Sequence, residues 1–440
     1  MSQKICIIGG GIAGLSTAWF LQRGAADRGI ALDIELVEAA DRLGGKIVTH
    51  YVGDSIVEGG PDSFLTEKQS GLELCRALGL GDQLLPSNDA NRSFSIVHEG
   101  RLVPFPKNCR LFIPLTDEAI RDNPLLSEAG KQSMAHEVNV APRLDDEDES
   151  LSAFVTRRFG REVLDRMAAP LLAGIYAADP DTMSIMSTFP KFRAMECEYG
   201  SLTAGARANA ARGKRPDAVF TSLQGGLQSL VNALQEQLTC SIRLSTHLEG
   251  LSTIDADRII LTIPARDASI LLEHERPQLA SALREIRYGG SATLAMLFKS
   301  EELPERPKGF GFMATREEPC AIHGCTWGSN KFSGRTSPDH FLVRVFFTDF
   351  PANEHAMVAT ALNELKRLAD FDAQPVWTRA NFWNDGNPLY EVGHREKLER
   401  IYAEAEKVPG LSLTGSSYEG LSMSDCITNA KILADQLLQS

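Results

Sequence analysis

The chain has 440 residues, 43% of them hydrophobic and 23% charged, with a formal net charge of -13. That composition supports a large core in a globular protein of two lobes, and the acidic balance argues against a generic nucleic-acid binder, which presents a basic face to phosphates. The apolar runs fall far short of the roughly 20 residues that span a bilayer, and the opening residues lack the order of a signal peptide. A cytoplasmic protein without a transmembrane segment is expected, with peripheral membrane contact left open. The cysteines, Cys6, Cys75, Cys109, Cys197, Cys240, Cys320, Cys325 and Cys426, form neither a disulfide framework nor a paired zinc pattern. Cys320, His323 and Cys325 come nearest to a metal cluster but lack a fourth ligand nearby, so no metal site is expected.

Residues 4–8 form a short β-branched run that ends in glycines, and residues 12–23 show helical spacing through Leu15, Ala18, Trp19 and Leu21. A strand over 33–38 completes a βαβ unit with parallel strands. Residues 72–79 are helical again, stopped at Gly79 or Gly81. Alternation through Phe94, Ile96, Leu102 and Phe105 predicts a hairpin over 93–106 turning at Glu99 and Gly100. The acidic run 145–149 reads as a solvated loop leading into a helix over 151–167, where negative charge suits the helix N-terminus. Residues 205–216, rich in Ala, Arg and Gly, read as a linker, and a helix introduced by Gly225 and Gly226 follows over 223–238. A buried strand over 258–263 closes at Pro264, and alternating strands over 291–298 and 341–347 predict an antiparallel sheet in a second lobe. The chain ends as it began, with a strand over 411–413, a glycine-rich turn from Gly415 to Gly420, and a helix from Ser424.

Gly9, Gly11 and Gly14, with Gly10, Ile12 and Ala13 between them, spell GxGxxG between a strand and a helix. That spacing serves a tight turn, a bare backbone facing a pyrophosphate, and close helix–strand contact. Glu38, followed by Ala39, ends the second strand where a carboxylate accepts from a ribose hydroxyl. Arg42, Gly44, Gly45 and Lys46 add a second glycine turn, and Glu58, Gly59, Gly60, Pro61 and Asp62 a third. A nicotinamide cofactor needs neither, so the pattern points to FAD. At the far end, the last helix is placed to set its dipole beside the flavin ring and stabilise negative charge on reduction.

GGGIAGL from Gly9, LVEAADRLGGKI from Leu36, EGGPDSFL from Glu58, PLLAGIYAADPDTMSIMSTFP from Pro170, SLQGGLQSL from Ser222 and SSYEGLSMSDCI from Ser416 together resemble the flavin-dependent porphyrinogen oxidases of haem synthesis, within the amine-oxidase-like flavoproteins. The likeness covers nearly the whole chain. The first two motifs identify only the cofactor, whereas GIYAADP and GGPDSF are specific to this family. The resemblance implies an α/β (α+β) fold, a Rossmann-like FAD-binding domain with an interleaved substrate-binding domain of mixed or antiparallel sheet plus helices. The expected division is 1–90, 216–285 and 401–440 for FAD, 91–215 for a helical substrate or membrane-type domain, and 286–400 for a substrate-binding sheet. It further implies FAD contacts at Gly9, Gly10, Gly11, Ile12, Ala13, Gly14, Glu38, Ala39, Arg42, Lys46, Gly60, Pro61, Asp62, Ser63, Leu248, Trp383, Gly420, Leu421 and Ser422. Trp383 equally suits the interior of the second sheet. Three departures stand out: Ala178 replaces a usual glycine, the stretch 243–265 is too short for a hairpin of the cofactor lobe, and Ser422 and Ser424 stand where glycine and proline are usual.

The implied reaction aromatises a porphyrinogen, removing six electrons in three two-electron steps, with O2 as acceptor and hydrogen peroxide released. In GIYAADPDTMSIMSTFP and SYEGLSMSDC the resemblance is closest to the enzymes that oxidise coproporphyrinogen III, with protoporphyrinogen IX as the alternative substrate. Gly174, Ile175 and Tyr176 are candidate pocket walls, and Arg92, Arg101 and Lys68 candidate partners for propionates. No residue is marked as a general base, and a neighbouring haem-pathway enzyme is a possible partner. Two further readings stay open: another oxidase or desaturase on the same fold, and a non-catalytic flavoprotein that binds porphyrin.

Overall fold

The computed structural model describes residues 2–213, 218–303 and 305–439, excepting the side chains of 173–175. Gln3–Ile8 is the centre of a five-stranded parallel sheet, ordered Ser241–Arg243, Leu32–Val37, Gln3–Ile8, Arg258–Leu261 and Leu411–Leu413. Its run of apolar residues is explained by burial on both faces. Ile5 and Ile7 enter one core with Leu15 and Trp19, while Cys6 and Ile8 enter another with Leu261 and Leu272. The helix Ile12–Arg28 packs against the last helix, Met423–Leu437, so the two ends of the chain share one layer. Between Arg243 and Arg258 there is only a strap and a short turn at Leu251–Thr253, which agrees with the expected loss of a hairpin.

A second sheet has the order Pro375–Pro388, Tyr288–Lys299, His340–Phe347, Gly324–Trp327, Gly311–Ala314, Phe94–His98 and Arg101–Pro104. The expected antiparallel pair is present, in register from Ala292 opposite Phe347 to Lys299 opposite His340. The hairpin turns at Glu99 and Gly100, both with positive φ, as expected. One face of this sheet, with Ala292, Leu294, Met296 and Phe298, buries Met357, Ala361 and Leu365 of the helix Glu354–Ala369. The opposite face packs Ala295, Leu297 and Leu342 against Val57 and Val52, and brings Met313 to the core of the helical region.

Four expected boundaries are corrected. The helix over 151–167 stops at Phe159, because Gly160 takes φ +90°, and resumes through a π-helical turn, Leu164–Ala168, into Ala169–Tyr176. Residues 205–216 are not a linker through 212: the Ser201 hydroxyl accepts from the Ala204 N–H and caps a helix, Leu202–Arg212, whose Leu202 and Ala206 are buried. Residues 214–217 lie outside the described residues. Residues 220–223 form a strand, Phe220–Leu223, so the next helix begins only at Gln228. The acidic run is only partly solvated, since Glu149 is buried and paired with Arg157 at 2.7 Å. Among the described residues no helix is long and apolar enough to cross a membrane.

Candidate functional site

The first strand delivers the glycine turn to the edge of the parallel sheet. At Gly14 an added Cβ would strike the Gly9 carbonyl oxygen and lie 2.8 Å from the Thr262 hydroxyl, so helix and strand meet only because the side chain is absent. At Gly11 the same atom would meet nothing within 4 Å, so this position faces open space. No side chain caps the helix that starts there, which leaves its first N–H groups directed at that space. Ile12 is half-buried and Ala13 buried behind the turn. Glu38 anchors the same turn: one carboxylate oxygen accepts from the Gly10 N–H at 2.6 Å and the other from the Ala40 N–H at 2.8 Å, with Ala39 exposed between them. The strap that carries Leu248 runs alongside, held by the Thr246 N–H on the Glu38 carbonyl at 3.0 Å.

The second glycine turn is pinned to the first by the Gly44 N–H on the Gly10 carbonyl at 2.8 Å. Arg42 donates to the carbonyls of Leu43, Gly45 and Ile47, so its guanidinium clamps this turn. Lys46 donates to the Gly386 carbonyl; it keeps an exposed surface toward the crevice, yet the enclosing protein lowers its pKa by desolvation. A Cβ on Gly60 would collide with the Lys46 carbonyl and lie 3.5 Å from the Trp383 ring. Lys46, Gly60 and Trp383 therefore converge beside the strand Pro375–Pro388.

At the other wall of the crevice, Gly420 and half-buried Leu421 lead into the last helix. Ser422 caps it: its hydroxyl accepts from the Asp425 N–H at 3.2 Å, and the Asp425 carboxylate accepts from the Ser422 N–H at 3.1 Å. The positive end of this helix is thus met by its own carboxylate, and the expected dipole toward a flavin is offset. Lys68, a candidate partner for propionates, binds Asp425 at 2.6 Å and Ser422 at 3.2 Å. Tyr176 comes to the same place: burial and then the Asp425 charge push its phenol up to about 12. The surroundings of the candidate wall residues Gly174 and Ile175 lie outside what the structure describes. Arg92 pairs with Asp89 at 3.2 Å, and Arg101 is 79% exposed on the hairpin turn. Ala178 is half-buried, after Ala177 at φ +48°.

Between these walls lies the open face of the second sheet. Directly opposed residues of a ladder share a face, and here Asn381, Thr293, Phe346, Gly324 and Met313 form one row. Thr293, Phe346 and Met313 stay half-buried although they occupy interior strands, so space lies above them. Phe94, Tyr176 and Met313 form the rim where the helical core meets this floor. Under the 59–62 segment the floor carries charge that the sequence reading missed. Lys331 holds Asp62 at 2.9 Å, Arg344 reaches it at 3.2 Å and donates to the Gly60 carbonyl at 2.6 Å, and Arg335 pairs with Glu58 at 3.0 Å. The two cations beside it hold the Asp62 carboxyl well below the usual range, against the opposing effect of burial. Ser63 completes the segment by donating to Asp62 at 2.6 Å.

A model of the flavin containing amine oxidoreductases matches residues 12–438. The chain belongs to that family. The coproporphyrinogen III oxidase of Bacillus subtilis (strain 168) is 32% identical over 466 residues, covering 99% of this chain and 98% of that protein. The Staphylococcus aureus protein of the same name is 28% identical, covering 100% and 99%. A crystal structure from Exiguobacterium sp. 255-15, assigned as a protoporphyrinogen oxidase, superposes with a TM-score of 0.87 at 32% identity, covering 100% of this chain and 99% of that one. As a flavin containing amine oxidoreductase the protein takes a flavin, and its residues fit one. The open Gly11, the uncapped helix and the Glu38 carboxylate are features that a bound nucleotide requires.

Proposed function

We propose that the protein is an FAD-dependent oxidase that converts coproporphyrinogen III to coproporphyrin III in haem synthesis, with O2 as acceptor. The observation that carries this reading is the row of half-buried Thr293, Phe346 and Met313 on one face of the second sheet, rimmed by Tyr176 of the GIYAADP stretch. A planar macrocycle needs such a slot, with apolar contact on Phe346, Met313 and Phe94 and polar contact on Thr293. The full-length likeness to proteins named coproporphyrinogen III oxidase supports the substrate.

In this reading Glu38 accepts from the ribose, and the N–H groups around Gly11 and Ala13 receive the pyrophosphate. Lys46, Gly60, Trp383 and Leu421 flank the ring. When bound, FAD supplies two-electron acceptance and passes the electrons to O2. The chain's own work is to hold a meso carbon against the ring and to keep water out, which the floor and rim do by shape.

Anaerobic mixing with coproporphyrinogen III and, in parallel, protoporphyrinogen IX tests this. Flavin bleaching followed by porphyrin fluorescence in air is expected, faster with the first substrate. Bleaching only with protoporphyrinogen IX would move the assignment to the activity named for the Exiguobacterium protein, and no bleaching with either would overturn the reading.

A further inference from the structure

Glu58, Asp62, Lys331, Arg335 and Arg344 form one buried cluster: Lys331 and Arg344 pair with Asp62, Arg335 pairs with Glu58, and the Ser222 hydroxyl joins the two by accepting from Arg335 and donating to the Asp62 carbonyl. Arg335, Arg344 and Glu58 each expose 3–4% of their side chains, and Lys331 exposes 11%. Three cations meet two carboxylates, so the cluster carries one positive charge in surplus. Burying an unbalanced charge is costly. The buried charge system of the helical region avoids the cost. In the helical region, Arg143, Arg157, Arg158 and Arg193 are matched by Asp145, Glu137, Glu149 and Glu196, four against four, with only the 82% exposed Glu147 outside the set. The cluster also holds buried donors without partners: Nε of Arg335, Nε of Arg344 and, beside Gly59, Nδ2 of Asn381.

The surplus is aimed by the backbone. Arg344 donates to the Gly60 carbonyl, and Thr293 to that of Gly59. These two glycines run into the crevice where Gly60 meets Lys46 and Trp383. On the opposite wall the helix N-terminus is answered by Asp425, and Asp425 by Lys68. Residues 58–63 instead rest on the surplus of Lys331, Arg335 and Arg344, and lead it to the place where Gly60 meets Lys46.

We infer that Lys331, Arg335 and Arg344 are positioning residues for the flavin, and that their surplus charge is balanced by the negative charge the ring gains when it is reduced. Acting through Gly60 and Asp62, they make the oxidised ring a better electron acceptor. The inference rests on the flavin reading but not on the choice of porphyrinogen.

Sulfite separates the two, because it adds its electron pair to an oxidised flavin and leaves negative charge on the ring without any substrate. In FAD-loaded protein, Lys331→Met should weaken sulfite binding about tenfold, Lys331→Arg should restore it, and Asp62→Asn, which raises the surplus, should tighten it several-fold. Melting curves confirm that each variant is folded. Shifts of Lys331→Met and Asp62→Asn in the same direction, or no shift beyond about twofold in either, would overturn the inference. Wild type that binds no FAD would instead sink the flavin reading. Wild type that binds sulfite but is not reduced by porphyrinogens would sink only the substrate.

Discussion

Gly11 and Gly14 look interchangeable in a GxGxxG motif, but the structure gives them different duties. An alanine at Gly14 would drive its methyl into the Gly9 carbonyl, which is backbone and cannot yield cheaply. Gly14→Ala should therefore cost the apoprotein about 2 kcal/mol or more, read as a lowered Tm without cofactor. Gly11 has φ -74° and ψ -179°, which any residue adopts, and open space where the methyl would go. Gly11→Ala should leave the apoprotein Tm unchanged and weaken FAD binding by about tenfold in a fluorescence titration, because the methyl occupies the approach of the pyrophosphate. Equal loss of apoprotein stability in both variants would contradict this division. The same scale shows what sequence reading misses. Arg344 interrupts the apolar strand HFLVRVFF, and a charge inside a buried strand is a signal in itself. Lys331 and Arg335 offered none, since their partners Asp62 and Glu58 are about 270 residues away in the chain.

The start of the last helix shows how one element joins several jobs. Ser422 and Asp425 close a capping box, and Asp425 also holds Lys68 of the EGGPDSFL neighbourhood. Ser422→Gly should cost only a few tenths of a kcal/mol, since glycine is a tolerated cap. Asp425→Ala loses the reciprocal bond and leaves Lys68 without its carboxylate, and should cost about 1–2 kcal/mol in urea unfolding. A smaller effect for Asp425→Ala than for Ser422→Gly would show that the box is ornamental to the fold. Elements with a local signature were legible in advance: the βαβ unit from its periods and glycines, the hairpin from Glu99 and Gly100. The helix Leu202–Arg212 was not, because its Ala-rich face lacks large apolar residues and its cap, Ser201, reads as an ordinary polar residue. The break at Gly160 was missed for the opposite reason, since apolar spacing continues unchanged across it.

Across the whole molecule, two buried charge systems make opposite contributions, one neutral and one not. The neutral system ties the helical region together at Glu137 and Arg158, both fully buried, with Ser201 and the Leu202 and Thr203 N–H groups also bound to Glu137. Bonds from Ser201 and Arg158 and the charge of Arg158 hold the Glu137 carboxyl below its ordinary value of 4.5, although burial acts the other way. An unfolded Glu137 takes up its proton near that ordinary value, whereas the folded one resists until lower pH. Its stabilisation is therefore complete above the ordinary value and is lost as pH falls through the folded one. Glu137→Gln keeps the shape but leaves Arg158 without this buried partner, and should cost about 3–5 kcal/mol near neutral pH. As the medium is acidified, wild type loses the carboxylate while the variant has none to lose, so their melting temperatures should converge. Parallel Tm curves through the acid range would mean that the helical region is held by packing and not by this charge. The cofactor-side cluster lies outside this pH response, because none of its ion pairs involves Glu137 or Arg158. The oxidised holoenzyme should therefore hold its Tm advantage over the apoprotein in Glu137→Gln as in wild type, since the two systems share no residue and their effects should add.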